Sequence, residues 1–226
     1  MKRTSIWLLP LCLCIAPPSQ ANLIANGDFQ SCDFSSWQQD SDGLGSPGTT
    51  GDFSIENTAG NCRALLTVDD GQSAQAFFAN TLYQQLTLTA LTGEHLWLHF
   101  DWAFFGTDGA PLTGDYFHIA LNDGLGNLYG ADGQLGTLLQ SPTNGQSSYG
   151  SGMFSVLLDS SLYNQSGWYL DFTLGEGTAI GDGLFSTLAI DNVRLESVSA
   201  AISEPALPAL FFLGLMTMGL LRREEG

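Results

Sequence analysis

The sequence predicts an all-β chain, an antiparallel two-sheet β-sandwich over residues 22–198 with short segments of a different kind at either end. Three observations predict it. Apolar and polar residues alternate at period two through several separate segments. Clusters of Asp, Asn and Gly stand between those segments, as turns require. No stretch between 22 and 198 sustains a helical period.

The first segment is built for export. Met1-Lys2-Arg3 is basic, Ile6 to Ala16 is apolar, and Ser19-Gln20-Ala21 sets small residues where a signal peptidase reads. Cleavage after Ala21 makes Asn22 the mature N-terminus. Cys12 and Cys14 fall in the discarded piece. Cys32 and Cys62 are then the only cysteines left, and in an oxidising compartment an even pair reads as one disulfide.

The strands follow in order. Leu82, Leu86 and Leu88 alternate with Tyr83, Gln85, Thr87 and Thr89. Leu96, Leu98, Phe100 and Trp102 alternate with Trp97, His99 and Asp101. Phe117, Ile119 and Leu121 alternate with Tyr116, His118 and Ala120. Trp168, Leu170, Phe172 and Leu174 alternate with Tyr169, Asp171 and Thr173. Each set gives an apolar face for a core and a polar face for water. Asp69-Asp70-Gly71, Asn122-Asp123-Gly124, Asp132-Gly133 and Gly181-Asp182-Gly183 read as the turns between them. In Leu188-Ala189-Ile190-Asp191-Asn192-Val193-Arg194-Leu195 the apolar phase slips by one at Asp191-Asn192, which predicts a β-bulge. Residues 199–203 read as a linker, with weak patterning already from Ser197.

Charge excludes some partners. Twenty of the 23 acidic residues lie between 22 and 203, against Arg63 and Arg194 and no lysine. Such a surface repels nucleic acid and anionic lipid, because phosphate contacts need Lys and Arg. Catalytic patterns are absent as well. His95, His99 and His118 form no HExxH pair, and Gly145-Gln146-Ser147-Ser148-Tyr149 lacks the second Gly of a nucleophile elbow. The acids are numerous enough for a glycoside-cleaving pair, but no spacing singles one out.

At the C-terminus Ser203-Glu204-Pro205 precedes an uncharged run from Leu207 to Leu221, then Arg222-Arg223. The run is short for a bilayer span and crosses only with local thinning or snorkelling of its arginines, which stay cytoplasmic. This tail resembles the PEP-CTERM sorting signal of Gram-negative bacteria, although Ser203 stands in place of the first proline and Glu224-Glu225 dilute the basic end. The resemblance implies an exosortase-type protease acting near Glu204 and Pro205. It also implies transient inner-membrane association and delivery to the cell surface or medium. A permanent anchor is the alternative reading of the same residues.

Asn22-Leu23-Ile24-Ala25-Asn26-Gly27-Asp28-Phe29-Gln30, with Trp37 after a short loop, resembles the opening of galactose-binding-like jelly rolls, which include carbohydrate-binding modules. Leu188 to Leu195 resembles their last strand, and Gln85-Leu86-Thr87-Leu88 through Trp102 their central hairpin. The resemblance implies a structural calcium held in part by Asp191 and by the residue after Phe29, where Gln30 stands in place of the usual acid. Independently of the resemblance, strand parity turns aromatic residues outward where a sugar could stack, with Trp97, Tyr116 and Tyr169 as the candidates and Tyr83 outward too; burial under a loop or at the sheet edge is the alternative for each. Trp37, Trp102 and Trp168 read as core.

The function these readings imply is a surface-sorted, non-enzymatic sandwich protein associated with extracellular polysaccharide or biofilm matrix. Two alternatives stand beside it, a divergent glycan-active enzyme and an ice-binding or adhesive surface protein. Thr87 and Thr89 are the only hint of the threonine array the latter needs.

Overall fold

The computed structural model describes residues 22–68, 79–107, 114–141, 149–177 and 184–199. Residues 1–21 with Ala21, the tail with Glu204, Pro205, Arg222 and Arg223, the turns at 69–71 and 181–183, and Ser147 lie outside them. No helix among the described residues is long and apolar enough to cross a membrane.

The described residues form eleven strands, β1 (Gln38–Asp40), β2 (Phe53–Thr58), β3 (Asn61–Val68), β4 (Ala79–Leu86), β5 (Glu94–Gly106), β6 (Tyr116–Asn122), β7 (Leu128–Tyr129), β8 (Leu139–Gln140), β9 (Gly150–Leu157), β10 (Trp168–Gly175) and β11 (Ser186–Ser199). A single 3-10 turn, Ser160–Leu162, is capped by the Asp159 carboxylate, which accepts from the Ser161 N–H. All pairings are antiparallel. One sheet runs β1-β4-β10-β6-β7 with β8 also on β6, and the other runs β2-β3-β11-β5-β9. This is the expected two-sheet antiparallel sandwich.

The period-two residues turn inward as their alternation requires. Leu82, Leu98, Phe100, Phe117, Ile119, Leu170, Phe172, Leu188 and Leu195 are buried between the sheets. Phe172 is the centre of an aromatic cluster, edge-on to Phe100 at 5.4 Å and tilted against Trp37 at 5.8 Å. Trp37 and Trp168 are core residues. Trp102 is only half-buried, packing on Phe117 at 5.2 Å beside Gly150 and Gly152 of the edge strand.

Two expectations need correction. Residues 85–102 are not a hairpin, since β4 pairs with β1 and β10 while β5 pairs with β11 and β9. Both strands have one apolar face, and the 87–93 connection carries the chain from one sheet to the other so that both faces meet in the core. Residues 197–199 belong to β11, opposite Leu96, His95 and Glu94, and Ser197 Oγ donates to Glu94 Oε2 at 2.8 Å. The expected linker therefore begins on a residue of the strand.

The bulge is where the phase slip puts it. The β11–β5 register shifts between Asp191 and Arg194, with Asn192 at φ 51°. The N-terminal motif clasps this point. Val193 N–H donates to the Gly27 carbonyl at 2.8 Å, and Asn22 Oδ1 accepts from Leu195 N–H at 3.0 Å. A side chain at Gly27 would collide with the Val193 carbonyl. Gln84, buried between the sheets, holds both the N–H and the carbonyl of Ala25 at 2.9 Å. The opening and closing motifs of the sequence are thus one structural unit.

Cys32 and Cys62 form a disulfide, with Cα atoms 5.4 Å apart. It ties the N-terminal segment to β3 and closes a 30-residue separation, a constraint on the unfolded chain of about 3–4 kcal/mol in the loop-entropy view.

Candidate functional site

Antiparallel register fixes which side chains share the outer face of the six-stranded sheet. Reading across strands, one row is Tyr116, Gly175 and Ala79. The next is His118, Thr173, Thr81 and Asp40. The third is Ala120, Asp171, Tyr83 and Gln38, and the fourth is Asn122, Tyr169 and Gln85. Gln38, Asp40, Thr81, Tyr83, Asn122, Tyr169 and Asp171 line a cleft of about 410 Å3, closed at one end by the Gly124–Gly126 loop.

The centre of the cleft is Asp171. It stands in β10, the middle strand of the sheet, so side chains from β4 and β6 cover it on both flanks and leave it only 7% exposed. Asn122 Nδ2 donates to its Oδ2 at 2.7 Å. Burial outweighs that bond and pushes the carboxyl up to about 6. The Tyr83 and Tyr169 rings, diagonal neighbours across β4 and β10, meet edge to face at 6.0 Å. Burial raises the Tyr83 phenol, and the Asp40 and Asp171 charges beside it add to the shift.

Two loops of the same sequence and the same bonding flank the face. In Asp42-Gly43-Leu44-Gly45 the Asp42 Oδ1 accepts from Leu44 N–H at 2.8 Å and Ser46 N–H at 3.1 Å. In Asp123-Gly124-Leu125-Gly126 the Asp123 Oδ1 accepts from Leu125 N–H at 2.8 Å and Asn127 N–H at 3.1 Å. The Leu44 and Ser46 N–H bonds hold the Asp42 carboxyl below its ordinary range, and Asp123 is held low chiefly by the Asn127 side-chain amide, which donates to its Oδ2 at 2.7 Å, with the backbone bonds adding to it. The glycines sit at φ 71° and 89° in one loop and 76° and 90° in the other, a backbone that a side chain would strain. Asp40 is part of the first loop, its Oδ1 accepting from Asp42 and Gly43 N–H.

The aromatic candidates are divided by this geometry. Tyr169 lines the cleft. Tyr116 is on the same face but at its far end, lying over Gly175 and stacked on His118 at 6.5 Å. Trp97 lies on the outer face of the other sheet, stacked on His99 at 6.1 Å. Tyr83 joins Tyr169, as its outward parity allowed. The sequence pattern alone does not single out Asp171. The available signal was an Asp, a residue depleted in strands, in mid-strand with Leu170 and Phe172 as neighbours.

The structure brings Asp191 and Gln30 to one corner through a third residue. Gln30 Nε2 donates to Asn61 Oδ1 at 2.9 Å, and Asn61 Nδ2 donates to Asp191 Oδ2 at 3.0 Å. Burial raises Asp191, and the Asp101 and Asp28 charges add a little. Calcium takes six to eight oxygens, and here amide hydrogens point along the line of contacts. No group of three or more His, Cys, Asp or Glu among the described residues is placed to hold a metal ion. The residues as arranged do not fit a calcium cage.

The described residues also hold a cleft of about 380 Å3 on the five-stranded sheet, lined in part by Arg63, Asp101 and Asp191. Arg63 is engaged by Glu56 at 2.6 Å, and Asn192 Nδ2 donates to Asp101 Oδ2 at 2.8 Å. It lacks the paired aromatic rings of the first cleft.

No protein-family model matches the chain, and no curated protein matches it in sequence. Among solved structures it is similar to the enzymatically active domain of tailspike protein 4 of bacteriophage CBA120, at 16% identity and TM-score 0.40 over 78% of this chain and 21% of that one. It is similar to Caldicellulosiruptor saccharolyticus CBM27-1 in complex with mannohexaose, at 12% identity and TM-score 0.45 over 79% and 97%. It is likewise similar to the Stig cyclase Fisc of Fischerella sp. TAU, at 16% identity and TM-score 0.42 over 80% and 100%. The chain spans about a fifth of the tailspike domain's length and nearly all of the other two. These likenesses select no chemistry, and the functional reading rests on the residues of the cleft.

Proposed function

We propose that this is an exported, surface-sorted, non-enzymatic sandwich protein associated with extracellular polysaccharide, and that it binds glycan in the cleft around Asp171. The observation that carries the reading is the pairing of the Tyr83 and Tyr169 rings with a buried carboxylate in one open cleft. A sugar ring has an apolar C–H face and a rim of hydroxyls. Aromatic rings cover the first, and planar acceptors and amides meet the second. Gln38, Asp40, Asn122 and Asp171 supply those groups on rigid strands. The export signal and the PEP-CTERM-like tail support delivery to the surface, with signal peptidase and an exosortase-type protease as processing partners.

One observation favours a second reading. A carboxyl raised to about 6 suits a general acid, and Asp40 lies in the same cleft, so the site also fits a divergent glycan-active enzyme. Binding and turnover separate the two. A glycan screen on the purified protein, followed by titration of Tyr83→Ala and Tyr169→Ala, tests the binding reading. Each variant is expected to weaken binding at least tenfold without releasing or altering sugar. Reducing ends that accumulate with the wild type and vanish in Asp171→Asn would replace it with the enzymatic reading.

A further inference from the structure

Every group in the cleft able to carry charge is an acid or stands beside one. Asp171 is nine-tenths buried there, and Asp40 sits two strands away on β1. Tyr83 and Tyr169 add the negative faces of two rings. Both arginines of the described residues are on the other sheet, Arg63 in β3 and Arg194 in β11, and each pairs with a glutamate there. Among the described residues the only basic side chain on this face is His118, one row away on β6, and burial lowers it toward the neutral form. Among the described residues Asp171 receives a single side-chain donor, the neutral amide of Asn122. A buried carboxylate without a cation is a costly arrangement for a fold to keep, since an opposite charge is what normally offsets its lost hydration.

We infer that the ligand supplies the missing cation, and that the cleft is selective for glycans carrying a free amino group over their neutral or acidic counterparts. The inference deepens the glycan-binding reading and rests on it. An ammonium seated at Asp171 has a carboxylate largely shielded from water for an ion pair and the Tyr83 and Tyr169 rings for cation–π contact. The amide oxygen of an N-acetylated sugar brings no charge, and a uronic acid or sulfate would oppose Asp40 and Asp171. A bare metal ion is the poorer match, because the rings give it no oxygen ligands. The groups that face Asp171 from the packed strands are Tyr83 on β4, with Gln38 and Asp40 beyond it on β1, Tyr169 and Thr173 on β10, and Asn122 on β6, with His118 one row away.

The test uses the purified full-length protein and three oligosaccharides of one length: a glucosamine oligomer, its fully N-acetylated counterpart, and an N-trimethylated form whose charge is permanent. Calorimetric titration is expected to give about tenfold tighter binding for the free amine than for the acetylated form at low salt, with the preference shrinking as salt is raised. Binding of the trimethylated form should strengthen as pH rises through about 6, where Asp171 ionises, and lose that dependence in Asp171→Asn. Asp40→Asn, half-buried on the edge strand β1, should keep the pH dependence and reduce the preference only partly. Equal or tighter binding of the acetylated form overturns the charge inference while the glycan reading survives. Failure of all three oligomers, with glycans of other backbones bound normally, also overturns it. Failure of every glycan overturns both.

Discussion

Asp171 shows what this fold retains at a cost. Its carboxyl is raised to about 6 from an ordinary 3.8 because burial outweighs the one amide donor it has among the described residues. Between about pH 4 and 6 the folded chain holds a proton there that the unfolded chain has released, so stability falls as pH rises through that window. The penalty above pH 6 is on the order of 3 kcal/mol. Asp171→Asn is therefore expected to raise stability at pH 7–8 by about 1–2 kcal/mol, the Asn122 contact being re-made imperfectly. It should also flatten the difference from wild type below pH 4. Urea melts of both proteins from pH 4 to 8 check this, and a variant that melts earlier at pH 8 would contradict it. Acids such as Asp33, Asp42 and Asp159 are shifted the opposite way by hydrogen bonds, and they cancel in the comparison. Phe172, next in sequence, faces inward against Phe100 and Trp37, and Phe172→Ala should cost about 3–5 kcal/mol by the same melts.

At the scale of elements, the decisive junction is the N-terminal segment clasped on the β11 bulge. Gly27→Ala would drive a methyl into the Val193 carbonyl, and a loss of about 1–3 kcal/mol is expected. The Cys32–Cys62 bond fixes the same segment to β3. Native protein should show no free thiol by alkylation and mass measurement, and Cys32→Ser with Cys62→Ser should lose about 2–5 kcal/mol. At the adjoining corner, the Gln30–Asn61–Asp191 chain of hydrogen bonds predicts no rise of melting temperature in millimolar calcium. A clear rise that Asp191→Ala abolishes would mean that Asn61 and Gln30 turn aside to admit the ion. The bulge was readable because Ile190 and Val193 break a strict alternation inside an otherwise continuous strand pattern, and an extra residue in the strand accounts for such an odd step. The hairpin was misread because alternation gives the face of a strand and not its neighbour: β4 and β5 carry the same parity signal whether they pair or pack across the core.

For the whole molecule, the same limit explains what could be read of the site. Outward parity put Tyr83, Tyr116, Tyr169 and Trp97 in one class, and only the sheet order separates Trp97 from the rest. Asp171 looked like any outward polar residue, since its burial comes from β4 and β6 rather than from its own strand. β1 has three residues and no pattern, yet it brings Gln38 and Asp40 to the cleft. The long-range charge was legible from the start: a chain of net −17 with its described arginines on one sheet leaves the opposite face without a cation. The central claim is that this face binds glycan through Tyr83, Tyr169 and Asp171. The most direct measurement is calorimetric titration of the best glycan from a screen into wild type, Tyr83→Ala, Tyr169→Ala and Trp97→Ala. The account predicts at least tenfold weaker binding for both tyrosine variants and an unchanged affinity for Trp97→Ala. Loss of binding on Trp97→Ala with both tyrosine variants intact would place the site on the other sheet and contradict it.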